Sequence, residues 1–148
     1  MAKTEYIIEK LMNGENINIE FSEVSDNMLS FVHDAEALGL SITKLASKCG
    51  MDIKTMSNLM NGISTPKKDH LLAICIVLEY DIRKVQETLK CFGHALHAGH
   101  VKRDMLIANA IINSSSYKDG EAVLNHIDND ILIPKGHEPI TNMMKHMK

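Results

Sequence analysis

Four residues whose side chains can bind metals lie close together in the sequence: Cys91, His94, His97 and His100. Cysteine and histidine are ligands that zinc prefers, and a structural zinc site needs four of them around the ion. This cluster has no companion pair elsewhere in the chain at ligand spacing, and it falls where a helix is predicted to end. The sequence therefore predicts no metal and no cofactor.

The remaining reactive side chains do not form a pattern typical of catalysis. The chain has no nucleophile signature, no paired carboxylates in a glycine-rich frame and no phosphate-binding loop. The run from Ser114 to Ser116 is more simply a turn between helices. Cys49, Cys75 and Cys91 are too few and too widely spaced for a disulfide framework, and their apolar neighbours predict that they are buried. We expect a protein that is not an enzyme and has no catalytic residues.

The charge is unevenly distributed along the 148 residues, whose net charge is −3. Residues 1–39 carry two lysines and eight acidic residues, whereas residues 40–80 carry five lysines and three acidic residues. A mildly basic middle permits phosphate contacts without requiring them. The sequence has no apolar run of about 18 residues that would cross a membrane. It also lacks the apolar stretch of a signal peptide, so we expect a cytoplasmic protein with no membrane partner.

The hydrophobic pattern predicts an all-α protein whose central domain has five helices. Between residues 25 and 93, apolar residues recur at helical spacing in five segments. Ser41, Asp52 and Asp81 can cap three of these helices at their N-termini, and Thr65-Pro66 is predicted to start another.

The segments on either side of this domain are predicted to be an arm and an extension. Residues 1–24 form an acidic N-terminal arm, in which residues 16–21 alternate in polarity and predict an extended segment. Residues 94–148 form a C-terminal helical extension and a tail, and the tail, from residue 128, either packs on the domain or is mobile. The predicted domains are therefore 1–24, 25–93 and 94–148.

Two short predicted helices meet at a tight turn around Gly50. The first supplies Leu45 and the second supplies Met56 and Leu59 to a shared core, and Met51 in the turn points inward. A two-helix corner of this size allows the second helix to enter a DNA major groove, which is about 12 Å wide.

A regular pattern of apolar, capping and turn residues extends from this corner into the helices after it. Its members are Leu40-Ser41, Leu45-Ala46, Gly50, Met56, Leu59, Asn61-Gly62, Pro66, Leu71-Leu72, Leu78 and Ile82. In this pattern the segment resembles the Xre and Cro/C1-type helix-turn-helix family of bacteria and phages. The resemblance implies a repressor-like five-helix helix-turn-helix domain. It also implies a sequence-specific DNA-binding transcriptional regulator, a repressor that acts as a homodimer on double-stranded DNA.

The family's positions assign the DNA-binding residues. They are Thr43, Lys44, Ile53, Lys54, Thr55, Ser57, Asn58, Asn61, Lys67 and Lys68. Lys54 can reach guanine acceptors or a phosphate, and Asn58 can pair with adenine. Lys44, Lys67 and Lys68 would hold phosphates on the flanks together with Thr43. The same residues would also form an ordinary solvated helix face.

Three apolar residues, Ile42, Ile53 and Met60, stand where the family usually has polar side chains. They suggest contact with thymine methyl groups or a surface that binds protein. Asp52 would repel phosphate unless it serves only as a cap, and no arginine lies between residues 40 and 80, so bidentate guanine readout is missing. The alternative is a protein-interaction module that reuses the fold to bind a partner regulator, a toxin or a defence protein through these three residues.

Overall fold

The computed structural model describes residues 18–141, with side chains from residue 28 onward. The seven α-helices of this part of the chain are α1 (Asn18–Ala37), α2 (Ile42–Lys48), α3 (Ile53–Met60), α4 (Lys68–Val77), α5 (Ile82–Cys91), α6 (Lys102–Ile112) and α7 (Gly120–His126). A short 3-10 helix at Ser114–Ser116 precedes α7, and a π-helix at Ile127–Leu132 and a short 3-10 helix at Ile133–Lys135 follow it. Residues 18–141 contain no strand, which confirms the all-α class. None of these helices is long and apolar enough to cross a membrane.

The extended segment predicted for residues 16–21 is wrong where the structure describes it. Residues 18–21 are the first turn of α1, and residues 16 and 17 lie outside the described range. A lone strand has no partner for its backbone groups, whereas lengthening a helix adds one hydrogen bond per residue. The helix therefore continues through the predicted boundary at residue 25, and the division into domains stays a prediction.

The helix α4 begins later than the sequence predicts. Thr65-Pro66 lies in the preceding loop, where Pro66 is buried. Lys67 is the N-cap residue, and its backbone N–H donates to Nδ1 of His70 at 3.2 Å. The ring of His70 thus accepts a hydrogen bond from a backbone N–H group at the start of the helix, which would otherwise have no partner within the helix. This hydrogen bond fixes the residue at which α4 begins, which the proline alone left open.

The centre of the molecule is α4, which is buried on all sides from Leu71 to Val77. A helix that is apolar all round must be covered by other helices, and α5 and α7 pack against it. The approach of α7 is very close, because a Cβ atom added to Gly120 would lie 2.3 Å from the carbonyl oxygen of Val77. Only glycine permits this contact between the first turn of α7 and the last turn of α4.

Ion pairs join the C-terminal extension to the helices before it. Lys48 Nζ lies 3.0 Å from Glu121 Oε1. The guanidinium of Arg103 binds both carboxylate oxygens of Asp69, at 3.2 and 3.1 Å. A bidentate pair of this kind fixes orientation as well as distance, so α6 and α7 are held to α2 and α4 in one arrangement.

The segment from residue 128 to residue 141 packs on the fold. Asp128 is buried, and its carboxylate accepts hydrogen bonds from the backbone N–H of Ile140 at 2.6 Å and from the hydroxyl of Thr141 at 2.6 Å. Leu132 and Ile140 are fully buried. Of the two outcomes left open for the tail, packing is therefore the one that holds as far as residue 141.

The prediction that all three cysteines are buried is wrong for one of them. Cys49 and Cys75 are buried, but Cys91 is exposed. The inward side of α5 is set by Val85 and Leu89, and Cys91 follows Leu89 by two residues, or about 200° around the helix. Its thiol therefore points away from the core.

Candidate nucleic-acid interface

The helices α2 and α3 are each fixed at their first turn by a side-chain cap. Ser41 Oγ accepts a hydrogen bond from the backbone N–H of Lys44 at 3.2 Å. Asp52 Oδ1 accepts one from the backbone N–H of Thr55 at 2.6 Å. This hydrogen bond favours the charged carboxylate and lowers the pKa of Asp52. Both predicted caps are confirmed, and Asp52 has a structural role at the edge of the surface.

Buried side chains hold α3 against α2 through the turn at Gly50. Met56 and Leu59 of α3 and Met51 of the turn are buried, as is Leu45 of α2. The backbone of Gly50 is left-handed, with φ of +71°, a conformation that costs side chains other than glycine about 1–2 kcal/mol. The predicted two-helix corner is confirmed, and packing fixes how α3 is rotated about its own axis.

This packing decides which side of α3 faces outward. At about 100° per residue, the side opposite Met56 and Leu59 is centred on Lys54 and Asn61, and Ser57 and Asn58 flank them. Lys54 and Asn61 are exposed, whereas Ser57 and Asn58 are partly exposed. Thr55 lies at the edge of this side and is partly buried. We call the surface of Lys54, Ser57, Asn58 and Asn61 the polar face of α3.

The polar face offers hydrogen-bonding groups to a partner. Asn61 Nδ2 donates to Ser57 Oγ at 3.3 Å, which holds these two side chains together. Within the described residues, the side-chain amide of Asn58 makes no hydrogen bond. A free amide presents one acceptor and two donors, and these groups match the N6 and N7 atoms of adenine in the major groove.

The lysines predicted to hold phosphates differ in their surroundings. Lys44 and Lys67 are exposed, as is Thr43 beside them. The ammonium of Lys68 instead lies 2.6 Å from Oδ2 of Asp104, a residue only 2% exposed. The same oxygen accepts the backbone N–H of His97 at 2.8 Å. The structure therefore places the charge of Lys68 in an internal ion pair with the extension.

The free positive charge around α3 is smaller than the sequence suggests. Of the five lysines in residues 40–80, Lys48 and Lys68 pair with carboxylates of the extension. Within residues 28–141, Lys44, Lys54 and Lys67 have no carboxylate at salt-bridge distance. Three lysines thus remain to meet phosphates around the polar face.

The three apolar residues that depart from the family pattern differ in exposure. Ile53, the first residue of α3, is 52% exposed, whereas Ile42 and Met60 are partly buried and pack against the core. Ile63, in the loop after α3, is 73% exposed. Sequence reasoning missed Ile63 because a loop residue has no periodic neighbours from which its exposure could be inferred.

The four potential metal ligands at residues 91–100 do not converge. In the part of the chain that the structure describes, no three His, Cys, Asp or Glu side chains are grouped so that they could hold a metal ion. His97 instead contributes its backbone N–H to the Asp104 ion pair, which is a structural role.

A comparison with protein families agrees with this geometry. A family model described as helix-turn-helix matches residues 35–85, from the end of α1 to the first turn of α5. Searches of curated proteins and of solved structures found no match. The family is a DNA-binding regulatory domain and not a catalytic one. Residues 35–85 therefore match the Cro/C1-type, Xre-like helix-turn-helix family, the family that the sequence resembles and whose members are DNA-binding regulators.

Proposed function

We propose that this protein is a sequence-specific transcriptional repressor that binds double-stranded DNA as a homodimer on a palindromic site. The observation that carries this proposal is the polar face of α3, which projects outward from a frame fixed by two caps and a buried core. A recognition helix needs an exposed polar face and a rigid frame, because side chains read base edges only when they are held in a defined orientation.

The side chains available favour half-sites rich in A·T pairs. The amide of Asn58 suits adenine, and the exposed Ile53 suits the methyl group of thymine, the one apolar group on a base edge in the major groove. Arginine, the usual reader of guanine, is absent from residues 40–80. Lys54 can contact a base or a phosphate from the centre of the polar face.

Non-specific affinity would come from few charges. Of the five lysines in residues 40–80, three per protomer form no ion pair with a described carboxylate and can neutralise phosphates: Lys44, Lys54 and Lys67. Each phosphate neutralised contributes about 0.9 to the slope of log K against log salt, so a protomer would contribute roughly 3. This value is modest for one domain and supports the use of two copies on one site.

The dimer would place two recognition helices about 34 Å apart, one turn of DNA. The helix α6 offers a surface for this contact, since Met105 is 45% exposed and Ile112 is 61% exposed. These residues are seven apart and lie on one side of the helix. We infer that this apolar side of α6 contributes to the dimer, and Met105→Glu combined with Ile112→Glu tests it by sedimentation equilibrium. A variant that remains dimeric would contradict the inference.

A second candidate function is a protein-interaction module, and the exposure of Ile53 and Ile63 favours it. Two large apolar side chains near an otherwise polar face are typical of protein-binding surfaces. Because Ile42 and Met60 pack against the core, the proposed protein contact would use Ile53 more than these two residues. Ile53→Gln should abolish partner binding in this case. Under the repressor proposal it should remove only the thymine-methyl contact and weaken DNA binding by no more than about fourfold.

The deciding experiment is a salt titration of binding to a random-sequence duplex pool, followed by sequencing of the bound fraction. A recovered palindrome with a steep salt slope would support the repressor proposal, provided that Lys54→Ala with Asn58→Ala abolishes the enrichment. The matched control is Lys90→Ala with Asn125→Ala, which removes the same side chains at exposed positions on α5 and α7. No enrichment and no salt-dependent binding would reject the proposal in favour of a protein partner.

A further inference from the structure

A cavity of about 230 Å³ lies where the end of α4 meets the C-terminal extension. Its floor is apolar and consists of Ile76 from α4, Ile111 from α6 and Val123 from α7, all of which are buried. One wall therefore belongs to the helix-turn-helix domain and the other to the extension. The volume corresponds to about eight water molecules, at ~30 Å³ each, which is enough for a small organic molecule.

The polar side chains around this cavity are acidic, aromatic or, at Ser114 and Ser115, hydroxyl groups. Glu79 and Asp119 contribute carboxylates, and Tyr80 and Tyr117 contribute rings. Asp119 Oδ1 accepts the backbone N–H of Ala122 at 2.9 Å and so caps α7. Among the described residues, the lining includes no lysine, arginine or histidine. Both rings have neighbours outside the lining, because Lys84 Nζ lies 4.2 Å from the centre of the Tyr80 ring and the ring of His126 lies 4.8 Å from that of Tyr117. The cavity thus combines an apolar floor with two carboxylates and the remaining surface of two aromatic rings.

The backbone at Glu79 indicates that a side chain is kept there at a cost. The helices α1, α2, α3 and α5 are each followed by a glycine with positive φ: Gly39, Gly50, Gly62 and Gly93. After α4 the corresponding residue is Glu79, with φ of +64°. A left-handed residue other than glycine costs about 1–2 kcal/mol, and such residues concentrate where a side chain has a function.

We propose that this cavity binds a small organic cation, an amine or a quaternary ammonium group with a short apolar body. The two carboxylates would attract the charge, and the isoleucine and valine floor would receive the alkyl groups beside the tyrosine rings. The proposal does not depend on DNA binding. It concerns a different surface, and its test uses the ligand and the protein alone.

The test is a titration of the full chain with choline, followed by NMR shifts of the cavity residues and by calorimetry. The matched probe is 3,3-dimethylbutan-1-ol, which has the same shape without the charge. We expect saturable choline binding and an affinity for the neutral alcohol at least tenfold lower. No saturable shift with choline up to about 50 mM, or equal binding of the two probes, would overturn the proposal.

Variants of the chain test the assigned residues. Glu79→Gln with Asp119→Asn keeps the shape of both side chains and the capping oxygen, and it should weaken choline binding at least tenfold without changing the alcohol. The control, Glu87→Gln with Glu138→Gln, removes two exposed carboxylates that do not line the cavity. Thermal unfolding checks that each variant is folded, and Glu79→Gln alone serves if the double variant is not. An unchanged choline affinity in the folded variant would overturn the assignment.

Discussion

The proposed contact between Ile53 and thymine can be tested one methyl group at a time. Uracil differs from thymine only in lacking the 5-methyl group, so a duplex with uracil removes the apolar group and keeps every base-edge hydrogen-bonding group. The partner change is Ile53→Ala, at the start of α3 and next to the polar face. If the two apolar groups touch in the complex, each change should remove the same interaction.

The magnitude follows from the exposure of this side chain. Ile53 is 52% exposed in the free protein, so about half of its surface is available to a partner. Burying one methyl-sized group contributes about 0.8 kcal/mol, which corresponds to roughly a fourfold change in Kd. We expect this loss for uracil at one thymine of each half-site, with no comparable loss at the other thymines.

The assay is fluorescence anisotropy at one fixed salt concentration, on the operator recovered from the random pool. Wild-type protein should lose about fourfold in affinity per critical thymine, and Ile53→Ala should not distinguish uracil from thymine at that position. Ile63→Ala is the matched control, because Ile63 is an exposed isoleucine outside α3 and its loss should leave the sensitivity to uracil unchanged.

Two results would refute the reasoning. The first is an operator whose affinity is unchanged when each thymine in turn is replaced by uracil. The second is a uracil penalty that persists in full with Ile53→Ala, which would place the methyl contact on another residue. With DNA binding intact, either result would remove Ile53 from the residues that read the operator.

Four further predictions concern charge, packing, thiols and pH. Lys67→Ala should lower the salt slope of DNA binding by about 1 per protomer. Lys68→Ala should leave this slope unchanged and lower the free energy of unfolding by about 2 kcal/mol, because buried Asp104 loses its cation. The reverse pattern would contradict the ion pair. Gly120→Ala should destabilise the fold by about 2 kcal/mol in urea unfolding, and Gly99→Ala, whose Cβ would meet no atom within 4 Å, should have almost no effect; equal effects would refute the close approach of α7. Burial raises the pKa of Cys75 to about 12 and also raises that of Cys49, so a thiol reagent should react quickly with exposed Cys91 alone in the native protein, and a second fast thiol would be inconsistent with this. The lowered pKa of Asp52 means that its cap stabilises the fold above the unfolded-state pKa and is lost as the pH falls through the folded-state pKa; Asp52→Asn keeps a capping oxygen and should flatten this acid dependence of stability, and an unchanged dependence would count against the cap.

The ion pairs of the extension change how the charge of the helix-turn-helix domain is understood. Residues 40–80 are mildly basic along the chain, yet Glu121 and Asp104 neutralise Lys48 and Lys68. The extension thus stabilises the domain and reduces its attraction for phosphate at the same time. Removing the extension would expose these two lysines, but it would also uncover α4, which is apolar on all sides.

The sequence alone determined the features that depend on neighbours within one or two helical turns. The caps at Ser41 and Asp52 and the glycine turn at Gly50 were all predictable, because each is set by local backbone geometry. The inward side of α3 was predictable from the spacing of Met56 and Leu59. The polar face follows from that side by helical periodicity, so most of the candidate site was in place before any tertiary contact was known.

Only the tertiary structure decided the features that join distant parts of the chain. Asp104 lies 36 residues from Lys68 in the sequence. No local pattern indicates that this carboxylate will pair with the ammonium of Lys68, which the sequence had assigned to a phosphate. From the sequence, Gly120 is only a residue that weakens a helix. The structure shows that the carbonyl of Val77 lies so close that no larger residue fits at this position. The cavity between α4 and the extension exists only after both are packed. The sequence gives the charge and size of each side chain. Which side chains contact one another depends on burial, which is a property of the whole fold.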